Sequence, residues 1–202
     1  MPILILSGGT GKTKESKLNS LFLKLVKNQP ILYIPIALES RPYEECLKWL
    51  TSTFKKNITM LTDLSEEINL NNFKGIYIGG GNTFKLLKEI KENKFDKKLK
   101  SFNGIIYGGS AGAIIFGKTI EPCSFGKIKD SNKVKLKNLN GLNLVNNCNI
   151  KCHYFNEEKE EIKNYVKKTK IPIIALPNDS GIYVKNNNIK NKNKIILFKN
   201  LF

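Results

Sequence analysis

The feature that most restricts how this chain can fold is an alternation. Short apolar runs at 3–6, 31–36, 58–61, 75–78, 104–107, 171–176 and 181–184 are rich in Ile, Leu, Val and Tyr and bounded by Gly, Asn or Pro. Such runs have the character of strands buried on both faces of a parallel sheet. Amphipathic stretches lie between them, at about 14–26, 43–54, 83–91 and 157–168. In the second, Cys46, Leu47, Leu50 and Phe54 recur at helical spacing among lysines and glutamates. The pattern predicts an α/β fold with a mainly parallel central sheet and helices on both faces. The C-terminal end differs. Residues 182–185, an asparagine-rich turn at 186–188, Ile189 and 195–198 predict a short antiparallel meander, since asparagine tolerates left-handed backbone angles. The lysines at 190–194 suit outer strands guarded against edge-to-edge pairing. No internal repeat, Pro- or Ser-rich linker or heptad interrupts the chain, so residues 1–202 are expected to form a single domain.

Composition narrows the function classes. With 202 residues, 41% of them hydrophobic, the chain can bury a real core, which excludes a disordered protein or a disulfide-stapled miniature. Against 34 Lys+Arg stand 17 Asp+Glu, and the net charge of +17 makes nucleic acid the first partner to weigh. Yet Arg41 is the only arginine, and lysine lacks the planar fork that reads bases and clamps phosphates. The Lys/Asn/Ile bias runs through the whole chain, so the surplus reads as a solvated surface and no specific nucleic acid is expected. No apolar run approaches the ~20 residues that span a bilayer, and the start lacks the basic region of a signal peptide. The expected location is therefore the cytoplasm, with no membrane partner. Cys46, Cys123, Cys148 and Cys152 show no framework spacing and read as reduced thiols. Cys148, Cys152 and His153 form a C-x3-C-H run, but a tetrahedral site needs a fourth ligand, and neighbours in a strand face opposite sides. No metal is expected there.

Three glycine-rich turns follow strands. Ser7-Gly-Gly-Thr-Gly-Lys-Thr13 resembles a phosphate loop, but the position that a Walker A loop reserves for its first glycine is Leu6. It reads as a tight strand-to-helix turn. The second, Gly79-Gly-Gly-Asn-Thr-Phe84, brings Gly80, Gly81, Asn82 and Thr83 to the start of a helix. Glycines there let backbone N–H groups approach an anionic ligand, whereas Asn82 or Thr83 could equally serve as an N-cap. The third, Gly108-Gly-Ser-Ala-Gly112, fits the G-x-S-x-G elbow, which holds a serine on a sharp strand-to-helix turn. Ser110 is the candidate nucleophile, and the Ala111 N–H at the helix start can stabilise a developing oxyanion.

A nucleophilic serine needs a base, and His153 is the only histidine. It follows a probable strand and precedes a helix, which assigns it to a loop at the carboxyl edge of the sheet, where active sites of open α/β sheets form. A third group must hold the imidazole tautomer. Asp130 is the first choice, with Glu121 and Asp179 as rivals and an exposed turn as the alternative for Asp130.

The glycine turn at 79–84, Gly109-Ser-Ala-Gly-Ala113 and Cys152-His-Tyr154, in this order, make the chain resemble the dipeptidase E family of serine peptidases. That family includes aspartyl dipeptidases and cyanophycinases, and the resemblance covers the first strand to about Val184. It implies a class I glutamine-amidotransferase-like (flavodoxin-like) α/β sandwich and a Ser110–His153–Asp130 triad. It also implies oxyanion donors at Gly80 (or Gly81) and Ala111, small-peptide substrates, no cofactor, and a monomer or homodimer. Residues 175–181, Ala-Leu-Pro-Asn-Asp-Ser-Gly, match the family's later active-site strand and turn. The aspartyl dipeptidases carry a basic, arginine-containing loop after the histidine. Here residues 154–161 are acidic and lack arginine, which suits either a cationic group on the substrate or a helix's first turn. The alternatives are a non-catalytic binding or regulatory domain on the same scaffold, and an esterase of the α/β-hydrolase type.

Overall fold

The structure, a computed structural model, describes residues 1–9, 16–186, 188–191 and 196–199. Seven strands form the main sheet: β1 (Ile3–Ser7), β2 (Ile31–Ile34), β3 (Ile58–Met60), β4 (Gly75–Ile78), β5 (Ile105–Gly109), β8 (Gly181–Lys185) and β9 (Asn188–Asn191). Their order is β3-β2-β4-β5-β1-β8-β9. The first five run parallel, and β8 and β9 add antiparallel at the β1 edge. A second sheet holds β6 (Asn149–Cys152), β7 (Ile173–Leu176) and β10 (Ile196–Phe198) in the order β10-β7-β6, with β6 and β7 parallel.

Strand alternation fills both faces of the main sheet. Ile5, Ile31, Tyr33, Tyr77, Ile105 and Tyr107 meet α1 (Ser16–Val26) and α2 (Tyr43–Phe54) on one side. Phe22 of α1 sits edge-on to Tyr107 at 5.7 Å between ring centroids, and Tyr77 stacks on Tyr107 at 4.8 Å, arrangements that the ring quadrupoles favour. On the other side Leu4, Leu6, Ile34, Ile76, Ile78 and Ile106 pack with α3 (Thr83–Glu92), α4 (Phe95–Ser101) and α5 (Ala111–Ile114). Ile150, Cys152, Ile174 and Leu176 join this same core, so the second sheet docks on that face. Its far side is covered by α6 (Lys159–Thr169) through Ile162 and Val166.

Two expectations need correction. The run at 171–176 is not a strand of the central sheet: β7 pairs with β6 and β10 in the second sheet. The meander stops at β8–β9, because the third run returns to cover β7, where Phe198 reaches Tyr154 at 6.0 Å. Residues 10–15, which include the Gly-Lys-Thr of the first glycine turn, lie outside the described residues, as do Asn187, Lys192–194 and Ile195. Among the described residues no helix is long and apolar enough to cross a membrane.

Candidate active site

Parallel strands in register end side by side, and this brings the turns together. Ile78 of β4 lies opposite Gly108 of β5, so the turn at 79–82 abuts Ser110, and the Gly80 backbone packs against the Ser110 side chain. The same logic holds in the second sheet. Cys152 of β6 lies opposite Leu176 of β7, so His153 and the turn at 177–180 are neighbours.

Ser110 adopts φ 51° and ψ −111° between β5 and α5, a conformation that costs a non-glycine residue roughly 1–3 kcal/mol and persists only where its surroundings fix it. Here they do. The Ser110 N–H donates to Ser7 O at 3.1 Å, and its carbonyl accepts from the Ala113 and Ile114 N–H groups at 2.8 and 3.0 Å. The crossing of α5 over β4 is equally tight: a Cβ on Gly112 would lie 2.3 Å from Ile78 O. The result is an Oγ held clear of the backbone, 2.7 Å from His153 Nε2.

His153 also has a left-handed backbone, φ 53°. Its N–H donates to Gly8 O at 2.9 Å, which ties the second sheet to the end of β1. Gly9 explains the glycines of the first turn. At φ +118°, it leaves open the space the imidazole fills, because a Cβ there would lie 2.1 Å from His153 Cε1. The other ring nitrogen, Nδ1, is 2.7 Å from Asn178 Oδ1. A carbonyl oxygen only accepts, so Nδ1 carries the proton and Nε2 turns its lone pair to the serine hydroxyl.

Asp130 is therefore not where the sequence placed it. Its N–H donates to Cys123 O at 2.8 Å, and its Oδ2 accepts the Thr83 N–H at 2.9 Å. These bonds pin it to the first residue of α3, and the imidazole has Asn178 instead. Of the rivals, Glu121 accepts the Tyr165 hydroxyl, and Asp179 gives its backbone N–H to Gly9 O. Asn178 lies in the segment 175–181, but an asparagine in a turn carries no signal for a position that a carboxylate ordinarily fills.

In the second glycine turn, Asn82 caps α3 by accepting the Lys85 N–H at 3.0 Å, and its Nδ2 donates to Ser131 O at 3.0 Å. Thr83 is fully buried. The Asn82 side chain thus serves the scaffold, whereas Gly81 lines the cavity beside Ser110. Among the described residues, no hydrogen bond takes the N–H groups of Gly80, Gly81 or Ala111.

A cavity of about 200 Å³ opens beside the serine, lined by Ile114, Cys123, Ile128, Asp130, Lys151 and His153. Burial raises the Cys152 thiol far above its usual range, and burial together with the Asp130 charge pushes Cys123 up to about 12. Neither thiol supplies a thiolate at neutral pH. Cys148 donates to Asn146 O, and Cys152 to the carbonyls of Ser7 and Ser110. Burial lowers the Lys151 ammonium, whose donors go to Phe125 O and Ile128 O. The acidic segment after His153 is also committed. Glu158, buried, accepts the Lys127 and Phe155 N–H groups; Glu157 pairs with Lys127; Glu160 and Glu161 occupy the first turn of α6.

Known proteins are similar to this chain in sequence and in fold. An uncharacterized peptidase of Listeria monocytogenes (serovar 1/2a, strain EGD-e) is 32% identical over 140 residues, a match covering 65% of this chain and 65% of that protein. A crystal structure from L. monocytogenes EGD-e, of a protein provisionally assigned as a peptidase E, superposes with a TM-score of 0.69 at 25% identity, covering 98% of both chains. Residues 3–192, which hold the serine elbow, the histidine and the asparagine turn, match Peptidase family S51. The chain belongs to that family.

Proposed function

We propose that the chain is a serine peptidase acting on small peptides, with Ser110 as nucleophile, His153 as general base and acid, and Asn178 as the group that orients the imidazole. The observation that carries this reading is the 2.7 Å contact between Ser110 Oγ and His153 Nε2, made by a serine on a strained elbow. His153 Nε2 takes the hydroxyl proton as Oγ attacks the scissile carbonyl carbon. The tetrahedral oxyanion is held by the N–H groups of Gly80 (or Gly81) and Ala111. The imidazolium passes its proton to the leaving amine, the C–N bond breaks and an acyl-enzyme remains. Water, deprotonated by His153, attacks the ester; the acid leaves and Ser110 regains its proton. Asn178 accepts the Nδ1–H throughout, in the role a carboxylate fills in other triads.

The test is labelling and turnover. A fluorophosphonate probe should modify Ser110 in the wild type and be blocked in Ser110→Ala and His153→Ala. Ser110→Ala should keep its circular dichroism and unfolding midpoint and lose about 10⁴-fold or more of its peptide hydrolysis. Equal hydrolysis above background by wild type and Ser110→Ala rejects the reading, and background rates in both favour a non-catalytic scaffold.

A further inference from the structure

We infer that Lys151 is a positioning residue: together with Glu158 it holds the loop at 125–129 as a wall of the cavity, and so sets how tightly a substrate binds without entering the chemistry. The inference deepens the serine-peptidase reading above and rests on it.

The loop has little of its own to keep it in place. The Asp130 N–H donates to Cys123 O at 2.8 Å and closes the loop at its neck. Among the described residues, no main-chain group of 125–129 bonds to another main-chain group. The polar groups of such a loop need partners from elsewhere.

Those partners are two buried charges. Lys151 is 1% exposed, and its ammonium donates to Phe125 O and, at 3.2 Å, to Ile128 O. It also lies 5.3 Å from the centroid of the Phe125 ring. Glu158, 4% exposed, accepts the Lys127 N–H at 2.7 Å. Phe125, Lys127 and Ile128 are thus all held through their main chain. Between them Gly126 has φ +88°, and a Cβ there would lie 2.4 Å from Glu158 Oε1 and 2.8 Å from Lys151 Nζ. The backbone therefore runs directly over both head groups. Burying an ammonium and a carboxylate is costly, and apolar residues of similar volume are often as stable. Fold stability alone does not call for this pair; a fixed loop does.

Placement links the loop to the site. Lys151 and Glu158 flank His153 on one stretch of chain, two residues before it and five after. Ser110, Ile128, Lys151 and His153 all line the same cavity. Ile128 is 46% exposed, so the loop offers the cavity apolar surface that a ligand can cover. Shifting the loop changes the contacts made with Ile128 and leaves the Ser110–His153 pair as it is. Contacts made equally in the ground and transition states act on binding and spare the limiting rate.

The test uses the fluorophosphonate probe on wild type, Lys151→Met and Gly126→Ala, with labelling rates measured against probe concentration. Methionine fills the space of the lysine stem without a donor. Alanine keeps both charges but displaces them from under the loop. Each variant should raise the half-saturating probe concentration by roughly 10-fold and leave the limiting rate within ~3-fold of wild type. Hydrogen exchange should locate the cause: the Lys127 amide exchanges about 10-fold faster in both variants, while β6 and α6 keep their protection. Unchanged half-saturation in both variants overturns the proposal, as does a loss confined to the limiting rate. A rise in Lys151→Met alone means that the ammonium meets the ligand itself, and a rise in Gly126→Ala alone removes the lysine from the role; either overturns it. So does unfolding of both variants by circular dichroism, which assigns the pair to stability. If one variant fails to fold, the other decides by the same two constants. Absence of label in the wild type shows instead that the serine-peptidase reading has failed.

Discussion

At the scale of single residues, the imidazole sits between two neutral oxygens, one from Ser110 and one from Asn178. An amide carbonyl fixes the tautomer as a carboxylate would, but brings no charge to stabilise the imidazolium that the proposed mechanism forms during attack. Removing it frees the ring to rotate and to swap tautomers. Asn178→Ala should therefore lower kcat by about 10²-fold with KM little changed. Asn178→Asp restores a charge that favours the protonated ring, so the acidic limb of its rate profile should move to higher pH. Steady-state kinetics from pH 5 to 9 on the three proteins check both. If the alanine variant retains full kcat, the Nδ1 bond has no part in the reaction. Much of the candidate site was readable at this scale. Ser110 announces itself because its neighbours must be small, and His153 because the chain has no other imidazole. Asn178 does not, since an exposed asparagine in a Pro-Asn-Asp-Ser turn has the composition of any turn. Only the proximity of β6 and β7 gives it a partner.

At the scale of elements, the start of α3 is fastened twice through one side chain. Asn82 caps the helix with its oxygen and grips Ser131 with its nitrogen. Asn82→Ala loses both bonds and should cost about 2 kcal/mol in urea unfolding. Asn82→Asp keeps the cap and gives up only the Ser131 bond, so it should cost less than half as much. Equal losses would mean the helix cap contributes little. Apolar runs and helical spacing marked the strands of the main sheet and three of its flanking helices, because burial on both faces leaves a continuous pattern. They did not mark α4, whose inward residues are only Phe95 and Leu99 amid lysines. Nor did they separate β7 from the central strands. A buried strand looks the same in either sheet, and the choice of pairing partner is made by elements distant in the chain.

At the scale of the whole molecule, positive charge is in wide surplus. The ion pairs that form, such as Lys88–Glu92 and Lys163–Glu160, are surface contacts and contribute little each. Self-repulsion from a net charge of +17 weakens the compact state and is relieved by screening. Raising salt from about 10 mM to about 150 mM shortens the Debye length from ~30 to ~8 Å. The thermal midpoint should then rise by roughly 2–5 °C; a flat or falling midpoint would mean that the lysines are locally compensated.

The Ser110 hydroxyl and the proposed oxyanion donors ride on the seven-stranded sheet, while the imidazole and its amide partner ride on the three-stranded one. Gly8 and Gly9, Ser7 and Cys152 stitch the two together. The Ser110–His153 contact is thus a property of a seam. The free energy that keeps the two side chains in register is the docking energy of one layer upon another, and neither layer possesses it alone.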